Sequence, residues 1–133
     1  MPAITTLVLK DRATTPVDHT FTPSNVTDGV GLVVESNGTK VGDSKYSVSS
    51  RKTASGRYNV KVKLEVPVVE TQTVNGIAKA VVTRVAYAEG SFSFAADSTK
   101  QERDNLVGMF ADSFAKTKTL VDKTVVELEG VWG

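Results

Sequence analysis

Three stretches of the chain set polar side chains of one functional type at every second position. Lys45, Ser47, Ser49 and Arg51 alternate in this way, as do Asn59, Lys61, Lys63 and Glu65, and then Tyr87 and Glu89. In extended backbone alternate side chains share a face, so each stretch would present these groups together. Lysine and arginine meet phosphates, contacts that position a nucleic acid and make its affinity salt-dependent. Serine hydroxyls donate to and accept from base edges, and an exposed tyrosine can stack on an unpaired base. A sheet face carrying cations and one aromatic is a recurrent way of reading single-stranded RNA loops. Taken singly, each strand also fits a plainer reading. Lys and Glu solvate many exposed sheet faces, and Tyr87 could pack against Val85 or a neighbouring strand.

Catalytic chemistry has little to work with. His19 is the only histidine; it falls in a polar stretch and reads as an ordinary loop residue. No Ser–His–Asp order or metal-spaced cluster accompanies it, and no glycine-rich phosphate loop precedes a helix. Glu65 and Glu89 would share the exposed face, but in basic, open surroundings rather than the desolvated ones that general acid–base work favours. No enzyme activity, cofactor or metal is expected. The absence of cysteine excludes a disulfide framework and a thiolate metal site. A net charge of +1 excludes gripping nucleic acid by bulk charge, so any such binding must come from a local arrangement.

The elements that must position these residues follow from periodicity and turn signals. At 133 residues one domain, 1–133, is expected. Strands are predicted over Thr5–Leu9, Thr20–Thr22, Val30–Glu35, Lys45–Lys52 and Arg57–Pro67, with Asp11–Asp18 a polar connection. Pro23-Ser24-Asn25, Asp28-Gly29 and Asn37-Gly38 read as punctuation, and Thr53–Gly56 as the turn of an antiparallel hairpin. Glu70–Ala80 holds Asn75-Gly76 between two Val/Thr-rich arms. Val82–Phe94 alternates again, with Gly90 a possible bend. Ser98 and Gln101 fit a capping box, after which Leu106, Val107, Phe110 and Phe114 recur at helical spacing. A second helix is expected over Leu120–Leu128, stopped by Gly130. Strands followed by helices make an α+β order. The helices should cover the apolar face of Tyr58, Val60, Val62, Leu64, Phe92 and Phe94, leaving the polar face open. The first residues carry no basic segment followed by an apolar run, so no secretory signal is expected and the triplets at Asn25 and Asn37 read as accidental glycosylation matches. No apolar run is long enough to span a membrane as a helix.

Assembled in this order, the chain resembles the coat proteins of the leviviruses, the small single-stranded RNA bacteriophages. The resemblance runs nearly its whole length. It rests on Pro23-Ser24-Asn25 with Asp28-Gly29-Val30, on Glu65-Val66-Pro67, on Thr71-Gln72-Thr73-Val74-Asn75-Gly76, and on Thr83-Arg84 followed by Ala86-Tyr87-Ala88. It implies an N-terminal β-hairpin (1–22), a five-stranded antiparallel sheet (30–94) and two C-terminal helices (98–129). It also implies an intertwined homodimer with a ten-stranded sheet, each subunit's helices crossing onto its partner. Such dimers would tile a T=3 icosahedral shell around the viral genomic RNA, made in the bacterial host cytoplasm and residing in the virion. A second implied role is binding an operator hairpin at the replicase start and repressing its translation. By position, Val30, Ser47, Ser49, Lys61 and Lys63 match the residues of adenine pockets and Tyr87 the stacking tyrosine. Arg51, Asn59 and Glu65 match neighbouring contacts, and the 71–76 loop matches the one gathered at the symmetry axes. Glu89 stands where relatives carry asparagine or aspartate. The alternative from the residues themselves is a stand-alone RNA-binding module that uses the same face without forming shells.

Overall fold

The computed structural model describes residues 2–36 and 42–133. Among them the order is β1 (Leu7–Lys10), β2 (Asp18–Thr27), β3 (Val30–Glu35), β4 (Ser44–Lys52), β5 (Tyr58–Val74), β6 (Ile77–Phe94), α1 (Lys100–Asp112) and α2 (Thr119–Val125). The six strands lie side by side in chain order. The first four neighbour pairs are antiparallel, with registers such as Leu9↔His19, Val33↔Tyr46 and Val48↔Val62. The chain forms two compact units, one ending at Ser93 and one running from Phe94 to Gly133.

The α+β class holds, with differences in how strands are divided. Two of the reversals are two-residue loops, Asp28-Gly29 (φ 53° and 77°) and Asn75-Gly76 (φ 53° and 78°). Positive φ at both central residues is what a type I′ hairpin turn requires, and Asn, Asp and Gly tolerate it best. The tight turn at Asn75 joins two long strands, so the 70–80 arms are the inner ends of β5 and β6 rather than a separate hairpin. β6 also runs on through Gly90. The turn expected at Asn37-Gly38 lies outside the described residues.

β2 corrects two expectations. It spans Asp18–Thr27 instead of stopping at Thr22, and Pro23-Ser24-Asn25 lies inside it. The register passes from Pro23↔Val33 to Asn25↔Leu32, which leaves Ser24 as the extra residue of a bulge. Proline lacks the ladder donor and is tolerated in strands at edges and bulges. His19, read as a loop residue, lies in this strand.

In the helical unit the cap sits one residue later than expected. Thr99 accepts from the Glu102 N–H at 3.2 Å, and the Glu102 carboxylate accepts from the Thr99 N–H at 3.2 Å. A carboxylate suits the helix N-terminus better than an amide does. Ser98 is occupied instead, its hydroxyl accepting from Arg103 at 3.0 Å, and Gln101 donates to Asn105 at 2.8 Å. Helix α2 ends at Val125, short of Leu128, which takes a φ of 60° beyond the helix and ahead of Gly130.

The core is small. Among the described residues only Phe21 and Val33 are buried hydrophobics, at 3% and 7% exposure. Neither helix buries a residue. Phe110 and Phe114 meet edge to face at 5.1 Å, yet both remain more than 40% exposed.

Candidate nucleic-acid interface

Residues directly opposite one another on neighbouring strands project to the same face. The registers therefore build the site in rows. Val30 stands opposite Ser49, and Ser49 opposite Lys61. The next row is Leu32, Ser47 and Lys63, and the one after it Val34, Lys45 and Glu65. Arg51 opposite Asn59 completes the other end. With alternate residues about 7 Å apart along a strand and strands about 5 Å apart, Ser47, Ser49, Lys61 and Lys63 mark a compact quadrilateral.

Strand β6 joins this face through side-chain contacts. The Lys63 Nζ lies 5.5 Å from the centroid of the Tyr87 ring, and Arg57 Nε donates to Ser93 Oγ at 3.0 Å. Tyr87 and Ser93 thus share the face of Lys63 and Arg57, and Glu89 follows by alternation. Tyr87 is 65% exposed. Lys45, Arg51, Lys61, Lys63 and Glu89 are exposed, while Val30, Ser47, Ser49, Asn59 and Glu65 are half-buried. Arg51 is anchored: its Nη2 donates to the carbonyl of Asp28 in the β2–β3 turn at 2.8 Å.

The opposite face carries Tyr46, Val48, Val60, Val62 and Leu64, by the same registers. Burial there pushes the Tyr46 hydroxyl above its usual range. One strip of sheet therefore has an apolar side and a polar, cationic side.

Several members of the polar face escape a reading by alternation. Asn25 opposite Leu32 and Thr27 opposite Val30 extend it onto β2, but the bulge at Ser24 breaks the count that would have located them. Arg57 was within reach, since it shares parity with Asn59. The residues Thr71, Gln72, Thr73, Val74, Asn75 and Gly76 are all exposed at the tip of the β5–β6 hairpin. Below the tip, Arg84 pairs with Glu70 at 3.6 Å and the Thr83 hydroxyl donates to the Val68 carbonyl at 3.3 Å. Among the described residues no cluster of His, Asp or Glu is arranged to hold a metal ion, and no helix is long and apolar enough to cross a membrane.

Comparison with known proteins identifies the family. The family model of the levivirus coat protein matches residues 2–132. The capsid protein of Pseudomonas phage PRR1 is 52% identical over 126 residues, covering 95% of this chain and 96% of that one. The capsid protein of Escherichia virus Qbeta is 32% identical over 98 residues, 74% of this chain and 66% of that one. Among solved structures, a virus-like particle of bacteriophage ESE058 superposes with a TM-score of 0.87 at 23% identity, covering 98% of this chain and all of the other. The bacteriophage GA protein capsid gives 0.82 at 22%, covering 97% and 98%. An antiparallel sheet with one cationic face, two C-terminal helices and a match along almost the entire sequence lead to one assignment: the chain belongs to the levivirus coat protein family, as a structural capsid protein of the virion and not an enzyme.

Proposed function

We propose that the 133 residues act as a single coat-protein domain that dimerises, assembles a T=3 icosahedral shell around single-stranded genomic RNA, and binds an operator hairpin at the replicase start. The observation that carries the RNA reading is the composite polar face, on which Ser47, Ser49, Lys61 and Lys63 stand beside Tyr87. Serines flanked by lysines can hold an unpaired base while the ammonium groups meet its phosphates. Tyr87 offers an exposed ring for a loop base. Val30, Asn59 and Arg51 border the pocket. Lys45 extends the cationic field, while Glu65 and Glu89 can accept from a cytosine amine. Occupation of this face by a hairpin would block ribosome access to the replicase start, and packaged genome would meet the same face inside the shell.

The small core supports the dimer. A chain of this length ordinarily buries a sizeable interior, yet Leu106, Val107, Phe110 and Phe114 are 42–46% exposed. Helices crossing onto a partner would cover such side chains, and pairing along β6 would close an open edge by joining the six-stranded sheets of two subunits, one strand more per subunit than the five expected. The 71–76 tip would gather around the shell's symmetry axes.

Size-exclusion chromatography with absorbance at 260 and 280 nm tests assembly. Uniform megadalton particles carrying nucleic acid are expected, and a small RNA-free dimer that never assembles refutes the proposal. Filter binding tests the repressor role: hairpins with unpaired adenines should bind far more tightly than plain duplex. Equal affinity for both would remove the pocket reading.

A further inference from the structure

His19 lies with each ring nitrogen against a different carboxylate. Nε2 is 2.8 Å from Asp11 Oδ2, and Nδ1 is 2.9 Å from Glu35 Oε2. A neutral imidazole has one N–H and one lone pair, so one carboxylate would face a lone pair. Only the imidazolium donates at both sides. Asp11 is itself fixed, its Oδ1 accepting from the N–H groups of Ala13 at 3.1 Å and Val17 at 3.0 Å. The ring therefore ties the β1–β2 connection to the last residue of β3. Because the carboxylates address opposite nitrogens, a single metal ion could not replace the proton.

We propose that His19 is a proton-dependent clamp that fastens the β1–β2 hairpin to the end of β3 and loosens when the imidazolium loses its proton. The clamp borders a cleft of about 290 Å³ whose apolar wall comes from Leu9, Phe21, Leu64, Val66 and Pro67. The charged groups facing it are Lys10 from β1, Asp11 from the connection and Glu35 from β3, while β4 offers Ser44 and β5 apolar groups. Lys10 is partly balanced by Asp18, 4.0 Å away. The geometry has the expected electrostatic signature. Hydrogen bonds to Asp11 and then Glu35 raise the His19 pKa above its usual value. The Val17 N–H, then His19 and then the Ala13 N–H hold the Asp11 carboxyl at about 2.

The sign follows from linkage. A raised histidine contributes stability that is complete below its unfolded value, about 6.5, and is lost as pH rises through the folded value. The clamp is thus closed in mildly acidic solution and opens on the alkaline side.

His19 is the only histidine, so its ring gives isolated NMR signals in the full-length chain. Imidazole ¹⁵N spectra should show both nitrogens protonated below the midpoint and a midpoint above about 6.5. Hydrogen-exchange protection of the β1 and β2 amides, relative to β4 and β5, should fall several-fold across that midpoint. The fall should vanish in His19→Gln. Glu35→Gln should lower the midpoint, which keeps the test decisive if His19→Gln misfolds. A midpoint at or below the ordinary histidine value overturns the clamp, as does a single protonated nitrogen throughout, or the same loss of protection in His19→Gln.

Discussion

The double substitution Lys61→Ala with Lys63→Ala tests the polar face most directly. Both side chains are exposed and stand on neighbouring rows beside Ser49 and Ser47. They project away from Val60, Val62 and Leu64, so their removal leaves the apolar side intact. Each lysine that neutralises a phosphate adds about 0.7 to 0.9 to the slope of log affinity against log salt. Two lysines therefore contribute about 1.4 to 1.8 per engaged subunit. Between roughly 50 and 200 mM salt, the wild type should lose about 7- to 12-fold more affinity than the variant, and about 50- to 150-fold more if both subunits of a dimer engage. Filter binding of one labelled hairpin across a salt series reads this slope directly. Losing the Lys63–Tyr87 contact costs about 0.5–1 kcal/mol of fold stability and leaves the salt slope unchanged. An unchanged slope would refute phosphate contact by these lysines, whatever happened to the absolute affinity.

Tyr87→Ala should cost about 1–3 kcal/mol of binding to a hairpin with an unpaired loop base and little for plain duplex; equal losses in filter binding would make Tyr87 a sheet-packing residue. Thr99→Ala removes the cap that accepts from Glu102 and should lower stability by about 1 kcal/mol in urea unfolding, whereas an unchanged midpoint would mean α1 is held without its cap. Asp11→Asn addresses the acid limb. A carboxyl held at about 2 contributes stability that is present above the ordinary value of 3.8 and lost as pH falls through 2. Wild-type melting temperature should therefore drop more steeply than that of Asp11→Asn between about pH 4 and pH 2, and parallel curves would dismiss the Asp11 contacts as energetically idle.

What was legible in the sequence divides along physical lines. Alternation along β4 and β5 placed Lys45, Ser47, Ser49, Arg51, Asn59, Lys61, Lys63 and Glu65 correctly relative to one another, because a period of two needs no tertiary information. The Asp28-Gly29 and Asn75-Gly76 turns were equally local, since few residues accept positive φ. Alternation along β6 put Tyr87 and Glu89 on that face as well; what the sequence could not supply is the contact with Lys63 that joins β6 to it. His19 was misread because its partners are eight and sixteen residues away, and a polar stretch gives no sign that its Asp11 and the distant Glu35 will converge on one ring. The cap at Thr99 was missed by one residue because Ser98 fits the same pattern, and the choice fell to Arg103, which claims the Ser98 hydroxyl.

The bulge at Ser24 shows how one irregularity serves both faces. Before it, Thr22 opposes Val34 on the polar side and Pro23 opposes Val33 on the apolar side. Uninterrupted alternation would then turn Asn25 and Thr27 toward the apolar side and Val26 toward the polar one, since a one-residue slip inverts every later side chain. The extra residue resets the count, so Asn25 and Thr27 join Leu32 and Val30 while Val26 falls opposite Gly31. Upstream of the bulge, Phe21 keeps the inward direction that makes it the most buried hydrophobic of the described residues. The same strand can thus carry a core residue and the clamp histidine in its first half and extend the polar face in its second. Neither requirement alone would call for the bulge; the pair of them does.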